Sequence, residues 1–271
     1  MAKHKPTRYL IETSALEPAL LESTAAHRKH YAGAVADGTV WSSTYIRKEL
    51  IARWVCDFFY MASVLRQCAS VQEGFRILRE TFSIRALKVY YAAIAEYLSK
   101  RNALENTKRA AEELVSLAVR RLKLFDKKFR MVSNTCRCEI GDKTCRIDFD
   151  HAVDDAVAFA KDFEIPIQNC KVNDFLQLGS DDGRAPKLLQ NSKLAKLTAC
   201  KHLATILAGP RHVTCTECSR IGDVVFALEQ PDSHWLVHID AAYDALCSFL
   251  GRRNKKLKSL IAVEKESGKQ L

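Results

Sequence analysis

Apolar positions along this chain change period several times, and each change marks an element. Tyr9, Leu10 and Ile11 form a short apolar run closed by Glu12, and in the "TSALEPALLESTAAHRKHYAGAV" that follows the leucines fall at helical spacing behind Thr13 and Ser14, either of which can cap a helix. A strand over 8–12 running into a helix is therefore expected. "DGTVWSS" then offers a turn at Asp37-Gly38 and a brief strand, and "TYIRKELIARWVCDFFYMASVLRQ" repeats its apolar residues at i, i+3, i+4 and i+7, which sets Glu49 about one turn inside a helix. The helical period persists to about residue 130, with breaks near Gly74 and Asn102, and predicts two or three further helices. The aromatics of "WVCDFFYM" share this spacing and read as core rather than as a base-stacking surface.

Turn formers interrupt the pattern in "SNTCRCEIGDKTCRIDFD" at 133–150, which reads as a hairpin or knuckle. "HAVDDAVAFAKDF" is a helix with Asp150 as N-cap, and capping accounts for Asp148, Asp150, His151, Asp154 and Asp155 better than a metal site does. "EIPIQNC" reads as a strand, "LGSDDGRAPK" as a surface loop, and 187–208 as one helix ended by Gly209-Pro210. In the last unit a helix begins at Asp223 and stops before Pro231, "HWLVHI" is a strand followed by Asp240, and "AAYDALCSFLG" is a helix closed by Gly251.

Composition narrows the class. With 271 residues, 48% apolar and 27% charged, the chain can bury a sizeable core and is not of the disordered type. No apolar run reaches the ~18 residues of a membrane span, and the first ten residues lack a secretory signal, so the expected compartment is the cytoplasm and the ten cysteines are expected to be reduced. A net charge of +10 favours nucleic acid as partner. The basic excess lies at Lys3, Lys5 and Arg8, in 119–130 with Arg120, Arg121, Lys127 and Lys128, and in 251–260 with Arg252, Arg253, Lys255 and Lys256. The last two clusters are candidates for tracking a phosphate backbone, and each reads equally as a solvated helix face or tail.

Four acids stand at element ends or first turns: Glu12, Glu49, Asp223 and Asp240. Alone, Asp223 reads as an N-cap and Glu49 as a solvated helix charge. Together, if the first and last strands are parallel neighbours, Glu12 and Asp240 meet outside the carboxyl ends of the sheet, where ligands of open α/β sheets collect. Carboxylates gathered in one cleft repel each other unless a cation sits among them, and a hard ion such as Mg²⁺ or Mn²⁺ suits an all-oxygen donor set. Such an ion can polarise a phosphodiester and activate water.

The stretches around these acids resemble the PIN-domain (PilT N-terminal) nuclease family. The resemblance lies in "YLIETSAL", in "VWSSTYIRKELIAR", and in "IGDVVFALEQPDSHWLVHIDAAYDALCSFLG", three motifs in the family's order that cover about the first and last 60 residues. It implies an α/β fold, three-layer α/β/α with a mostly parallel central sheet, assembled from 1–70 and 211–251 around a large, mainly helical, cysteine-bearing insertion at 71–210, with a basic tail at 252–271. It implies a metal-dependent endonuclease acting on RNA rather than DNA, with Glu12, Glu49, Asp223 and Asp240 as metal-binding and catalytic acids and Thr13 or Ser14 as a supporting hydroxyl. Partners of this kind of protein include RNA, an inhibitory protein and a second copy of the chain. Glu12 departs from the family pattern, which has Asp there: the extra methylene moves the carboxylate by more than ~1 Å, enough to reduce or abolish metal-assisted catalysis.

The cysteines form a second constellation. Cys136, Cys138 and Cys145 in the turn-rich segment and Cys215 and Cys218 in "TCTEC" have the short spacings with which thiolates bind a structural Zn²⁺, with Cys170 and Cys200 as substitute ligands; Cys56, Cys68 and Cys247 read as core. No second C-x-x-C completes the pattern, and buried reduced cysteines explain the same residues. The rival to the nuclease is therefore a catalytically degenerate PIN-like module that binds nucleic acid or protein and holds zinc.

Overall fold

The computed structural model describes residues 7–20, 25–51, 55–81, 94–95, 97–132, 136, 172–178, 180, 182–209, 213–258, 262–263 and 266. The hairpin, helix and strand expected over 133–170 lie outside the described residues apart from Cys136, as do Lys3, Lys5, Cys138, Cys145 and Cys170. The chain forms two compact units: Met1–Glu49 with Leu124–Lys143 and Phe163–Leu271, and Leu50–Lys123 with Thr144–Asp162.

The first unit is α/β. Its strands β1 (Thr7–Ile11), β2 (Gly38–Ser42), β3 (Arg130–Met131), β4 (His234–His238) and β5 (Arg253–Lys256) make one sheet in the order β3-β2-β1-β4-β5. Every neighbouring pair is parallel, with Leu10 opposite both Trp41 and Leu236. Tyr9, Leu10 and Ile11 are all buried, as are Leu236, Val237 and His238. Because successive side chains of a strand point to opposite faces, both faces of the sheet are covered along β1 and β4, as a parallel sheet requires.

Helices α1 (Thr13–Leu20) and α2 (Ala25–Val35) follow β1, and α3 (Thr44–Leu50) follows β2. Ser43 caps α3: its Oγ accepts the Ile46 N–H at 3.2 Å and its carbonyl the Arg47 N–H at 3.0 Å.

In the second unit, α4 (Cys56–Gln67) and α5 (Val71–Thr81) pack through Leu65, Phe75 and Leu78. The break expected at Gly74 falls instead at Ser70, whose Oγ takes the Glu73 N–H at 3.1 Å, and Gly74 lies inside α5 against Leu65. A break does occur at Asn102, which is left-handed with φ 51°. Phe58 and Phe59 are core and Tyr60 is exposed. The long α6 (Thr107–Lys128) begins in this unit, its Arg109 N–H bonded to Asn106 Oδ1 at 2.9 Å.

Later come α7 (Val172–Leu176), α8 (Arg184–Gln190) and α9 (Thr198–Ala208), then α10 (Cys215–Arg220), α11 (Gly222–Glu229) and α12 (Ala242–Leu250). The single helix expected over 187–208 is broken at Asn191, where the backbone is extended and Oδ1 accepts the N–H groups of Lys193 and Leu194 at 3.0 and 3.2 Å. Thr214 and Glu217 form a capping box, so "TCTEC" is the start of a helix rather than a turn. Gly251 closes α12 in the left-handed region at φ 63°, as the sequence suggests. Directly after it, the segment read as a basic tail supplies the edge strand β5.

Candidate active site

Strand order reverses at β1: the chain leaves it for β2 and β3 on one side, and β4 and β5 lie on the other. That is the place where open parallel sheets leave a crevice outside the strand ends. Glu12 stands there. As the first residue past β1 it is the N-cap of α1, with its carbonyl accepting the Leu16 N–H at 3.1 Å. Its carboxylate is buried and takes four donors: Ser14 N–H to Oε2 at 2.7 Å, Ala15 N–H and Ile239 N–H to Oε1 at 3.2 and 3.3 Å, and the Ser14 hydroxyl to Oε1. Capping and the helix dipole thus offset the cost of the buried charge. Burial nevertheless dominates and pushes the carboxyl up to about 7, against the Ser14 hydrogen bonds, with the charge of Glu49 adding to the rise.

Glu49 reaches the same end of the sheet from α3, where its Oε2 accepts a hydrogen bond from the Thr13 hydroxyl. Asp223 arrives in the first turn of α11. The two helices approach closely at Gly222. A Cβ there would lie 2.6 Å from Glu49 Oε1 and 2.8 Å from the Tyr45 hydroxyl, so a side chain at this position would have to displace the ends of both. Tyr45 is buried and donates to the Cys218 carbonyl at 2.7 Å. At the other end of α11, Glu229 hydrogen bonds with the Ser43 side chain at the start of α3, so the two helices run side by side in opposite directions.

Tyr243, in the first turn of α12, ties the group together. It is buried, its hydroxyl hydrogen bonds with Asp223, and burial followed by the charges of Asp223, Glu12 and Glu49 holds its pKa well above the ordinary phenol value. Three of the four sequence-derived acids are therefore close enough to act on one phenol. Asp240 does not join them: it is exposed and its Oδ1 caps α12 by accepting the Ala242 N–H at 2.8 Å. Its carbonyl accepts His238 Nδ1–H at 2.7 Å.

Glu229 is an acid the sequence reading missed. It is buried, Oε1 accepts the Cys136 N–H at 2.8 Å, and burial pushes the carboxyl up to about 7 against the Ser43 and Cys136 hydrogen bonds, with the charge of Glu49 adding to the rise. In sequence it is the last residue of an apolar helix, with nothing local to separate it from a solvated charge. Tyr243 and Gly222 were missed for the same reason, since their partners lie more than 170 residues away or on another helix.

An all-carboxylate donor set is the right chemistry for Mg²⁺ or Mn²⁺. Among the described residues, however, no group of three or more His, Cys, Asp or Glu side chains stands in a metal-binding arrangement. Glu12 in particular has its lone pairs engaged by four donors, about the number a carboxylate can accept.

Cys136 and Cys218 are buried, and Cys215 is the first residue of α10. Arg120 donates to the Tyr97 hydroxyl at 2.6 Å, and Arg121 lies over the Phe58 ring at 4.9 Å. Lys127 and Lys128 are exposed in the last turn of α6, where cations suit the helix dipole. Arg252 pairs with Asp232, Arg253 lies over Trp235 at 5.9 Å, Lys255 donates to the Ala34 carbonyl, and Lys256 pairs with Asp244 at 2.8 Å. Most of these cations thus brace the fold. Among the described residues no helix is long and apolar enough to cross a membrane.

Compared with known proteins, the chain matches no family model, and neither a curated protein nor a solved structure is significantly similar to it.

Proposed function

We propose that this protein is a PIN-like, metal-dependent endonuclease acting on RNA. The observation that carries the reading is the convergence of Glu12, Glu49 and Asp223 around Tyr243, from positions far apart in the chain, at the reversal point of a parallel sheet. The sheet order and the PIN-like motifs around each acid add to it. Glu49 and Asp223 would hold the cation, and Asp240, which caps α12 at the surface, would not. Bound there, Mg²⁺ or Mn²⁺ would supply charge for the phosphodiester and lower the pKa of a water. The Tyr243 hydroxyl fixes the Asp223 rotamer, and the Thr13 hydroxyl fixes Glu49. Glu12, with a carboxyl near neutrality, is placed to exchange a proton at physiological pH once one of its donors is displaced.

The test is cleavage of labelled RNA by the purified protein in Mn²⁺ beside Asp223→Asn. The parent is expected to cleave and the variant to lose at least a hundredfold; cleavage that survives the substitution rejects the site. A second reading has its own observation. The saturated carboxylate of Glu12 favours a catalytically degenerate module that binds RNA without cutting it, and RNA binding with no cleavage by the parent selects that reading. Its zinc component predicts about one zinc per chain in the purified protein.

A further inference from the structure

One sheet face carries a cluster outside the acidic site. Parallel register sets Trp41 beside Leu10 on one side and Arg130 on the other, and sets Arg8 beside Thr39 and His234. Register partners in a parallel sheet share a face, and so do residues two apart in one strand, so Arg8, Thr39, Trp41, Arg130 and His234 all lie on one face. Leu10 and His234 are buried, Trp41 and Thr39 half-buried, and Arg8 and Arg130 exposed.

The indole is held in place. Its Nε1–H donates to Thr39 Oγ1 at 3.0 Å, and the His234 ring meets it edge-on with centroids 5.2 Å apart at 87°. Burial, and then the charge of Arg8, lowers the His234 pKa, so that ring is neutral at pH 7 and wedges the indole without adding charge. The guanidinium carbons of Arg8 and Arg130 each lie over the indole ring, 5.9 Å from its centroid, so a base stacks on Trp41 only as an arginine turns off the ring toward a phosphate. Strand geometry puts the two arginine Cα atoms about 12 Å apart with Trp41 between them, and Trp41 Cα about 8 Å from Glu12 Cα. Neither arginine has a carboxylate partner among the described residues.

A fixed aromatic face between two uncompensated guanidinium forks fits a polyanion that also presents flat rings. Guanidinium groups take phosphate oxygens in a bidentate fashion, and an aromatic side chain stacks on unpaired bases irrespective of sequence. Duplex bases are already stacked and cannot reach a half-buried indole. We propose that Arg8, Trp41 and Arg130 form a single-stranded RNA-binding platform, Trp41 stacking a base while the arginines hold phosphates, which leads the strand toward the acids. The proposal rests on reading the protein as one that handles RNA, whether or not it cleaves.

Binding can be separated from cleavage by measuring fluorescence anisotropy of an unstructured, end-labelled RNA of about ten nucleotides with the full-length protein in EDTA. Arg8→Gln with Arg130→Gln is expected to weaken binding about tenfold or more in 50 mM salt and to reduce the slope of log affinity against log salt by about 1.4, the value for two single-strand phosphates. Trp41→Ala is expected to weaken it roughly 5- to 150-fold with the salt slope unchanged. If that variant fails to fold, Trp41→Phe keeps the test open, with a smaller loss and a retained slope. Parental affinity and slope in the arginine double variant overturn the platform, as does a loss confined to binding of anionic-lipid vesicles with RNA binding intact. Because no cleavage is read, failure here leaves the nuclease reading standing, and failure to cleave leaves the platform standing.

Discussion

Glu12 shows how one side chain can serve fold and chemistry at once. A carboxylate at the end of a buried strand is costly, yet here it caps α1 and accepts a donor from the chain after β4. Aspartate caps a helix as well but reaches less far, so Glu12→Asp is expected to keep stability within about 1 kcal/mol in urea unfolding while releasing the Ile239 N–H and freeing one oxygen. RNA cleavage in Mn²⁺ should then rise several-fold; a rate that falls or stays flat tells against a nuclease detuned by one methylene. Gly222 is the complementary case, a residue whose value is its missing Cβ. Gly222→Ala pushes on Glu49 and on the Tyr45 hydroxyl, with an expected cost of roughly 1–3 kcal/mol and at least a tenfold loss of cleavage, and a variant with parental stability and rate would show that the α3–α11 approach is looser than the contacts imply. At this scale the sequence made Glu12 and Asp223 legible because one follows a strand and the other opens a helix, and Glu49 because it stands about one turn inside the helix after β2. Asp240 follows the same rule and still turns outward, since its carboxylate is used as a local cap. Position in an element does not fix where a side chain points.

Between elements, the sheet's second half depends on one amide. Gln230 is buried and its Nε2 donates to the His234 carbonyl at 2.8 Å and the Arg253 carbonyl at 2.6 Å, joining the loop after α11 to the starts of β4 and β5; Cys247 of α12 contacts its Oε1 at 3.6 Å. Gln230→Leu keeps the volume and removes both donors, so the buried His234 carbonyl and the part-buried Arg253 carbonyl are left short of partners. The expected loss is about 2–4 kcal/mol in urea unfolding, and a loss under about 0.5 kcal/mol would mean that water replaces the amide. Strands β1, β2 and β4 and helices α1, α3, α11 and α12 could be read from the sequence, because each has its own period and its own cap or stop. β3 and β5 could not. Arg130–Met131 is too short for any alternation to register, and "RNKK" is a polar edge strand whose side chains lie over Trp235 and Tyr9 rather than in a core, so it reads as a tail. The break at Asn191 was equally hidden, since a side-chain bond to two backbone N–H groups leaves the apolar period intact.

For the molecule as a whole, the buried acids make stability a function of pH and of cations together. Glu12 and Glu229 both titrate near 7, above the ordinary carboxylate value of 4.5, so the folded state favours their protonated forms. Their contribution is complete below pH 4.5 and is lost as the pH rises through about 7. Each shift corresponds to about 3 kcal/mol, and the two are coupled through Glu49, so the joint loss need not be the sum. Urea unfolding of the cation-free protein should therefore show stability falling by at least about 3 kcal/mol between pH 4.5 and pH 8. Glu229→Gln, which resembles the protonated acid, should remove a large part of that fall while matching the parent at pH 4.5. A cation acts on the other acids: Mg²⁺ at a hundredfold its pH 8 dissociation constant would restore about 2.7 kcal/mol at pH 8 and less at pH 5, where protonated Glu12 no longer adds its negative charge to the field at Glu49 and Asp223. Asp223→Asn should abolish the Mg²⁺ gain and leave the Glu229 part of the pH slope in place. Should Mg²⁺ stabilise the parent and Asp223→Asn equally, or equally at both pH values, the ion is binding elsewhere, and the acids are then a buried structural cluster held together by protons.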